Sequence, residues 1–152
     1  MTKKERELLV EDLRGRIGYG VMILHEGWNW EWDQELSLLE RVVGIDDNFI
    51  YVRVIDTQTG EEYRDDKHSI DLFEDKPYLR SISSMTDEEK EEFNKIKATV
   101  EVCFINAINE DGFTLAYYKL MDWLNKNHFD YRGLIPMGLA LNREEYSIFK
   151  NE

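Results

Sequence analysis

The chain of 152 residues contains a single cysteine, Cys103, so no internal disulfide can staple it. The neighbours Val102, Phe104 and Ile105 suggest a buried thiol, and a helical surrounding of this kind gives no cause for a lowered thiol pKa. No run of about 18 apolar residues occurs, which excludes a membrane-spanning helix. The opening MTKKERELLVEDL is charged and amphipathic and lacks the apolar core of a secretory signal. Both features lead to the expectation of a cytoplasmic protein. Basic residues are scarce: 19 Lys and Arg stand against 32 Asp and Glu, for a net charge of −13. The deficit is shared, with residues 1–84 at −8 and residues 85–152 at −5. Such a surface repels a phosphate backbone, so direct nucleic-acid binding is not expected. An acidic surface can instead imitate nucleic acid and occupy a basic partner, or simply keep the protein soluble.

Recognisable reaction motifs are also missing. There is no Gly-x-Ser-x-Gly elbow, no phosphate-cradling glycine loop and no dinucleotide fingerprint. The three histidines, His25, His68 and His128, are scattered, and with one cysteine they supply no local zinc spacing. Neither a metal nor a cofactor is therefore expected. Asp65, Asp66 and His68 are near neighbours that suit a cation or, more plainly, a solvated hairpin edge. Residues 106–112 resemble a calcium loop only until Ala107 and Tyr118 fall where ligands should stand.

What is present describes a folded domain. The composition is 42% hydrophobic, 34% charged and 12% aromatic, enough for one core over residues 1–152. Leu8, Leu9 and Leu13 fall at one-turn spacing and predict a helix over residues 3–14, stopped by Gly15. Short strands are predicted over residues 19–25, 36–44, 49–57, 61–64 and 69–73. Asp46-Asp47-Asn48 and Thr57-Gln58-Thr59-Gly60 supply the turns, with Gly60 in the left-handed position. The period changes at residue 84, where Thr86 and Glu89 form a capping box. Phe93, Ile96, Val100, Phe104, Ala107 and Ile108 then keep helical spacing until Gly112, and a second helix is predicted from Thr114 to Asn127. Residues 134–141 suggest a terminal strand or helical turn packed back on the body. The fold class is thus α+β: an N-terminal helix, a small strongly bent five-stranded antiparallel sheet or SH3-like barrel, then two C-terminal helices. Residues 1–84 form the mainly β part and residues 85–152 the mainly helical part.

Two segments stand out as candidate sites. Trp28, Trp30 and Trp32 alternate, so an extended backbone places all three indoles on one face, as a core seam or a contact patch. Glu26, Asp33 and Glu35 flank them, and carboxylates beside aromatic rings are an arrangement seen in sugar-cleaving sites. The second segment places His128, Asp130 and Arg132 in a turn after a helix, where His128 stands to gain charge stabilisation. Its structural alternative has Asp130 and Arg132 fixing the turn while Trp123, Phe129 and Tyr131 anchor it to the core.

Lys76-Pro77-Tyr78-Leu79-Arg80 followed by Ser83-Ser84-Met85-Thr86, and Asp122-Trp123-Leu124-Asn125 followed by His128-Phe129-Asp130-Tyr131-Arg132-Gly133-Leu134-Ile135 and Gly138-Leu139-Ala140-Leu141, form two text blocks. These blocks resemble an uncharacterised small-protein family of gut Bacteroidetes, their prophages and their phages. They cover roughly the second half of the chain, and the tryptophan segment lies outside them. The resemblance implies a cytoplasmic accessory protein of bacterial or phage origin with an α+β fold, and it brings no activity. The functional expectation is a non-enzymatic protein–protein interaction module with an unknown protein partner, acting through Trp28, Trp30, Trp32, His128, Asp130 and Arg132. The alternatives are an acidic anti-defence or host-takeover factor that occupies a basic nucleic-acid-binding site, and a small carbohydrate-acting enzyme.

Overall fold

A computed structural model describes residues 1–29, 34–106 and 110–146. Thr2 caps the first helix, α1 (Lys3–Arg16), in a reciprocal box with Glu5. A helical turn at Ile17–Tyr19 leads into four antiparallel strands in succession: β1 (Met22–Asn29), β2 (Gln34–Ile45), β3 (Phe49–Ile55) and β4 (Glu62–Ser69). The chain then crosses back through a turn at Ile70–Leu72 to β5 (Lys76–Leu79), which pairs with β1. Two helices follow, α2 (Asp87–Ile105) and α3 (Glu110–Lys126), and the two-residue strand β6 (Leu141–Asn142) runs parallel to β5. The sheet order is β4-β3-β2-β1-β5-β6.

The expected architecture is the observed one, with an N-terminal helix, a bent sheet and two C-terminal helices. The sheet has six strands, is mixed because β6 is parallel, and does not close, so the barrel alternative is not realised. Its curl is nevertheless strong. On a flat sheet β1 and β4 would lie ~14 Å apart, yet the rings of His25 on β1 and His68 on β4 stack with centroids 4.5 Å apart. The concave side holds the main core, where Leu9, Val10 and Leu13 of α1 meet Val21, Ile23, Val42, Ile50, Val52 and Phe73. A second cluster of Met85, Trp123, Leu124 and Phe129 sits beneath the two C-terminal helices.

Local differences from the sequence reading have physical causes. The first strand begins at Met22 rather than Tyr19 and runs through His25 to Asn29, because residues 17–19 form a helical turn ending at Gly20. The two short strands expected at 61–64 and 69–73 are one strand, β4, followed by a turn. Six consecutive residues of β4 are exposed, so the strand has no apolar alternation to reveal it. The expected single helix through Ile108 stops at Asn106, and Gly112 lies inside the first turn of α3 instead of ending α2. Phe104 was expected on a buried face and is 72% exposed, while Cys103 is half-buried rather than buried. Ala107 and Ile108 lie outside the described residues. The turn assignments match: Gly60 has φ +75°, and Asp46 Oδ1 accepts from the backbone N–H groups of Asn48 and Phe49.

Candidate functional site

Alternation along the strands explains how four distant residues meet. On β1, His25 shares a face with fully buried Ile23, two residues back. On β2, Glu40 shares that face with buried Val42, and its cross-strand partners are Ile23 and Val54, both fully buried. On β4, His68 stands opposite buried Ile50. All three side chains therefore project into the concave side, and the crossing from β4 to β5 carries Phe73 and Asp75 over it. Phe73 packs 6.2 Å from the His68 ring, closing the inner wall.

The result is a set of two imidazoles and two carboxylates whose donor atoms all lie within 4.8 Å of one another. His68 Nε2 stands 2.6 Å from Glu40 Oε2 and 3.9 Å from Asp75 Oδ2, and His25 Nδ1 stands 2.9 Å from Asp75 Oδ1. Glu40 is completely buried, and its second oxygen, Oε1, has no hydrogen-bond partner among the described residues. A carboxylate taken out of water costs several kcal/mol unless positive charge and hydrogen bonds compensate. His25, 29% exposed, is the most open of the four, and His68 is 14% exposed. The hydrogen bond to Asp75 raises the His25 pKa above its ordinary value, helped by the charges of Asp75, Glu40 and Asp66 against the opposing effect of burial. The site thus stabilises positive charge.

The chemistry fits a divalent ion. Nitrogen and oxygen donors about 2.0–2.2 Å from a four-coordinate metal stand roughly 3–4 Å apart, close to the spacing found here. Imidazole donors suit zinc and its transition-metal neighbours, whereas calcium and magnesium take oxygen shells. Local spacing gives no sign of such a set, because its members stand 15, 28 and 7 residues apart along the chain. One signal was available: Glu40 stands on the apolar face of its strand between Leu38 and Val42.

Apart from His68, the residues singled out from sequence as candidate sites lie elsewhere or outside the described residues. Trp28 belongs to β1 and pairs with Glu35, while Trp30, Trp32 and Asp33 lie outside the described residues. Asp65 reaches Arg53, Asp66 reaches Arg64, and only His68 of that trio enters the cluster. Asp130 fixes the turn: its two oxygens accept from the backbone N–H groups of Leu134 (2.7 Å) and Ile135 (2.8 Å). Arg132 lies 3.4 Å from both Glu11 and Asp12. Trp123 and Phe129 are buried, and Tyr131 packs beside them.

His128 corrects an expectation. Its backbone takes φ +57°, in the left-handed region, and its Nδ1 is buried without a hydrogen-bond partner among the described residues. Instead of gaining charge, it is pushed down to about 4 by burial, with the positive charges of Arg16, Arg143 and Arg80 adding to the effect. Arg16 is itself fully buried. It forms a two-pronged pair with Asp12 (2.7 and 3.0 Å) and donates to the Phe129 carbonyl at 2.8 Å.

No protein-family model matches the chain, and neither a curated protein nor a solved structure matches it.

Proposed function

We infer that the protein binds a divalent transition-metal ion through His25, Glu40, His68 and Asp75, and that the ion acts as a clasp rather than a catalyst. The observation that carries this reading is Glu40: a fully buried carboxylate, between two buried aliphatic residues, with one oxygen on His68 and the other without a hydrogen-bond partner among the described residues. A bound cation would neutralise that charge and use the free oxygen. It would also tie β1, β2, β4 and the crossing to β5 together, fixing the curl of the sheet. Four protein donors fill a tetrahedral shell, the usual arrangement of a metal that serves structure.

Purified, chelator-treated protein titrated with Zn²⁺ or Co²⁺ tests the reading. One ion per chain is expected, with the absorption of tetrahedral Co²⁺, and a rise in unfolding temperature. Metal at about 100 times its Kd adds ~2.7 kcal/mol, or ~5–10 °C for a chain of this size. Equal binding by wild type and a His25→Ala/His68→Ala variant, or no binding by the folded wild type, would overturn it.

A second reading keeps the chain as a non-enzymatic interaction protein of a bacterium or phage, working in the cytoplasm. The exposed apolar residues at the far end of the α2–α3 pair favour it.

A further inference from the structure

Helix α2 is 19 residues long, and none of its described side chains is buried. Its partner α3 is anchored at its C-terminal end by Trp123 and Leu124 but carries Leu115, Tyr117 and Tyr118 exposed. An isolated helix in water gains little from propensity alone, and an amphipathic helix draws its stability from packing one face. The two halves of this hairpin differ sharply in charge. Eight of the eleven residues 87–97 are charged, against four of the twenty-four residues 98–121. The charge-poor half also carries the exposed apolar side chains: Val102, Phe104 and Ile105 on α2, and Leu115, Tyr117 and Tyr118 on α3, each between 47% and 78% exposed. Phe113 joins the two sets, with its ring 5.9 Å from Phe104 and 6.3 Å from Tyr117.

We propose that the distal halves of α2 and α3 form the contact of a homodimer, in which a second copy of this chain packs its own hairpin against the first. This rests on the interaction reading above and names the occupant. Three observations single out a second copy. Side chains of this size bury ~150–250 Å² each when aromatic. At the exposures found here, the six present roughly 600–700 Å² per chain, within the range of about 600–1,000 Å² per partner of a stable interface. Depletion of charge to this degree is the composition of homodimer interfaces, whereas transient partners meet on surfaces as polar as the rest of a protein. Two helices from each chain also complete a four-helix arrangement, giving α2 the buried face that it lacks alone. The charge-dense proximal halves, residues 87–97, stay outside an overlap confined to the distal ends, so the net charge of −13 on each copy does not oppose contact there.

Sedimentation velocity on the full chain, from ~1 to ~200 μM in about 150 mM salt, tests this. The wild type is expected to sediment at twice 18.2 kDa at the upper concentrations. The variant Leu115→Glu/Tyr118→Glu, altered at exposed positions only, is expected to stay at 18.2 kDa with an unchanged circular dichroism spectrum. A wild type that stays at monomer mass throughout overturns the second-copy proposal. The interaction reading would then require a different protein on the same surface, and it fails separately if an identified host partner binds the variant as tightly as the wild type. A dimer that survives Leu115→Glu/Tyr118→Glu but dissociates on Tyr63→Glu, a change on the exposed strand β4, also overturns it by placing the contact at the sheet edge.

Discussion

His25 and His128 are the same side chain in opposite surroundings. Around His25 stand Asp75, Glu40 and Asp66, and its pKa is raised. Around His128 stand Arg16, Arg143 and Arg80, with more burial, and its pKa falls to about 4. One set of surroundings favours positive charge on the imidazole; the other opposes it. The difference comes from the partners that the fold delivers, which for His128 reverse the charge gain that its place after a helix suggests. It also fixes opposite pH slopes. A raised histidine contributes stability that is complete below its unfolded value of ~6.5 and is lost as pH rises through the folded pKa. A lowered histidine contributes stability that is present above ~6.5 and is lost as pH falls towards 4.

The sharpest way to break the contrast is Asp12→Ala. It strips the carboxylate from fully buried Arg16 and leaves an uncompensated charge in the arginine-rich corner. A loss of about 3–5 kcal/mol is expected, read by chemical denaturation; a loss under ~1 kcal/mol would mean that solvent reaches Arg16. Next comes the pH dependence of stability. Between pH 6.5 and 4 the neutral preference of His128 should cost about 2–3 kcal/mol, after allowance for its partial exposure. His128→Asn accepts the left-handed backbone, and the difference between its pH profile and that of the wild type should account for this slope. Parallel profiles would refute the assignment.

On the carboxylate side, Glu40→Gln keeps the shape and removes the charge. With metal at about 100 times the wild-type Kd, the ~2.7 kcal/mol of metal-linked stabilisation should fall below about 1 kcal/mol, measured as unfolding temperature with and without Zn²⁺. Retention of the full increment would show that Glu40 is not a ligand. The smallest effect expected is that of Arg80→Lys. The Arg80 guanidinium meets both oxygens of Glu89 (2.7 and 2.9 Å) and lies 4.5 Å over the Phe129 ring. A lysine keeps the charge but loses the fork and the flat face, for about 1 kcal/mol. An unchanged denaturation midpoint would assign the corner's order to burial alone.

Much of the fold was legible because its signals are local. Thr86 and Glu89 announce α2, Gly60 announces a hairpin, and the alternation from Phe49 to Ile55 announces β3. Only the start of β4 was legible, because an exposed edge needs no apolar residues, and β5 hid because it is four residues long and contains Pro77. The candidate metal site was illegible for a different reason. Its four members come from three strands and a crossing, and only the curl of the sheet brings His68 back to His25. Each member has a mundane reading by itself: a histidine on a strand, or an acid in an acidic chain. Glu40 alone broke a local rule, and that break marked the site. At the turn His128–Arg132, Asp130 has the structural role of a backbone acceptor, whereas Arg132 reaches Glu11 and Asp12 of α1.

The charged outer strand has a consequence for how this protein behaves among many copies of itself. From Glu62 to Lys67 every residue of β4 faces water, and five of the six are charged. A neighbouring chain seeking to extend the sheet would have to dehydrate Glu62, Arg64, Asp65, Asp66 and Lys67 together. The opposite border is the two-residue β6, too short to template a strand. Neither border therefore invites fibre growth, and any assembly is steered away from the open-ended stacking of strands towards contacts that close on themselves.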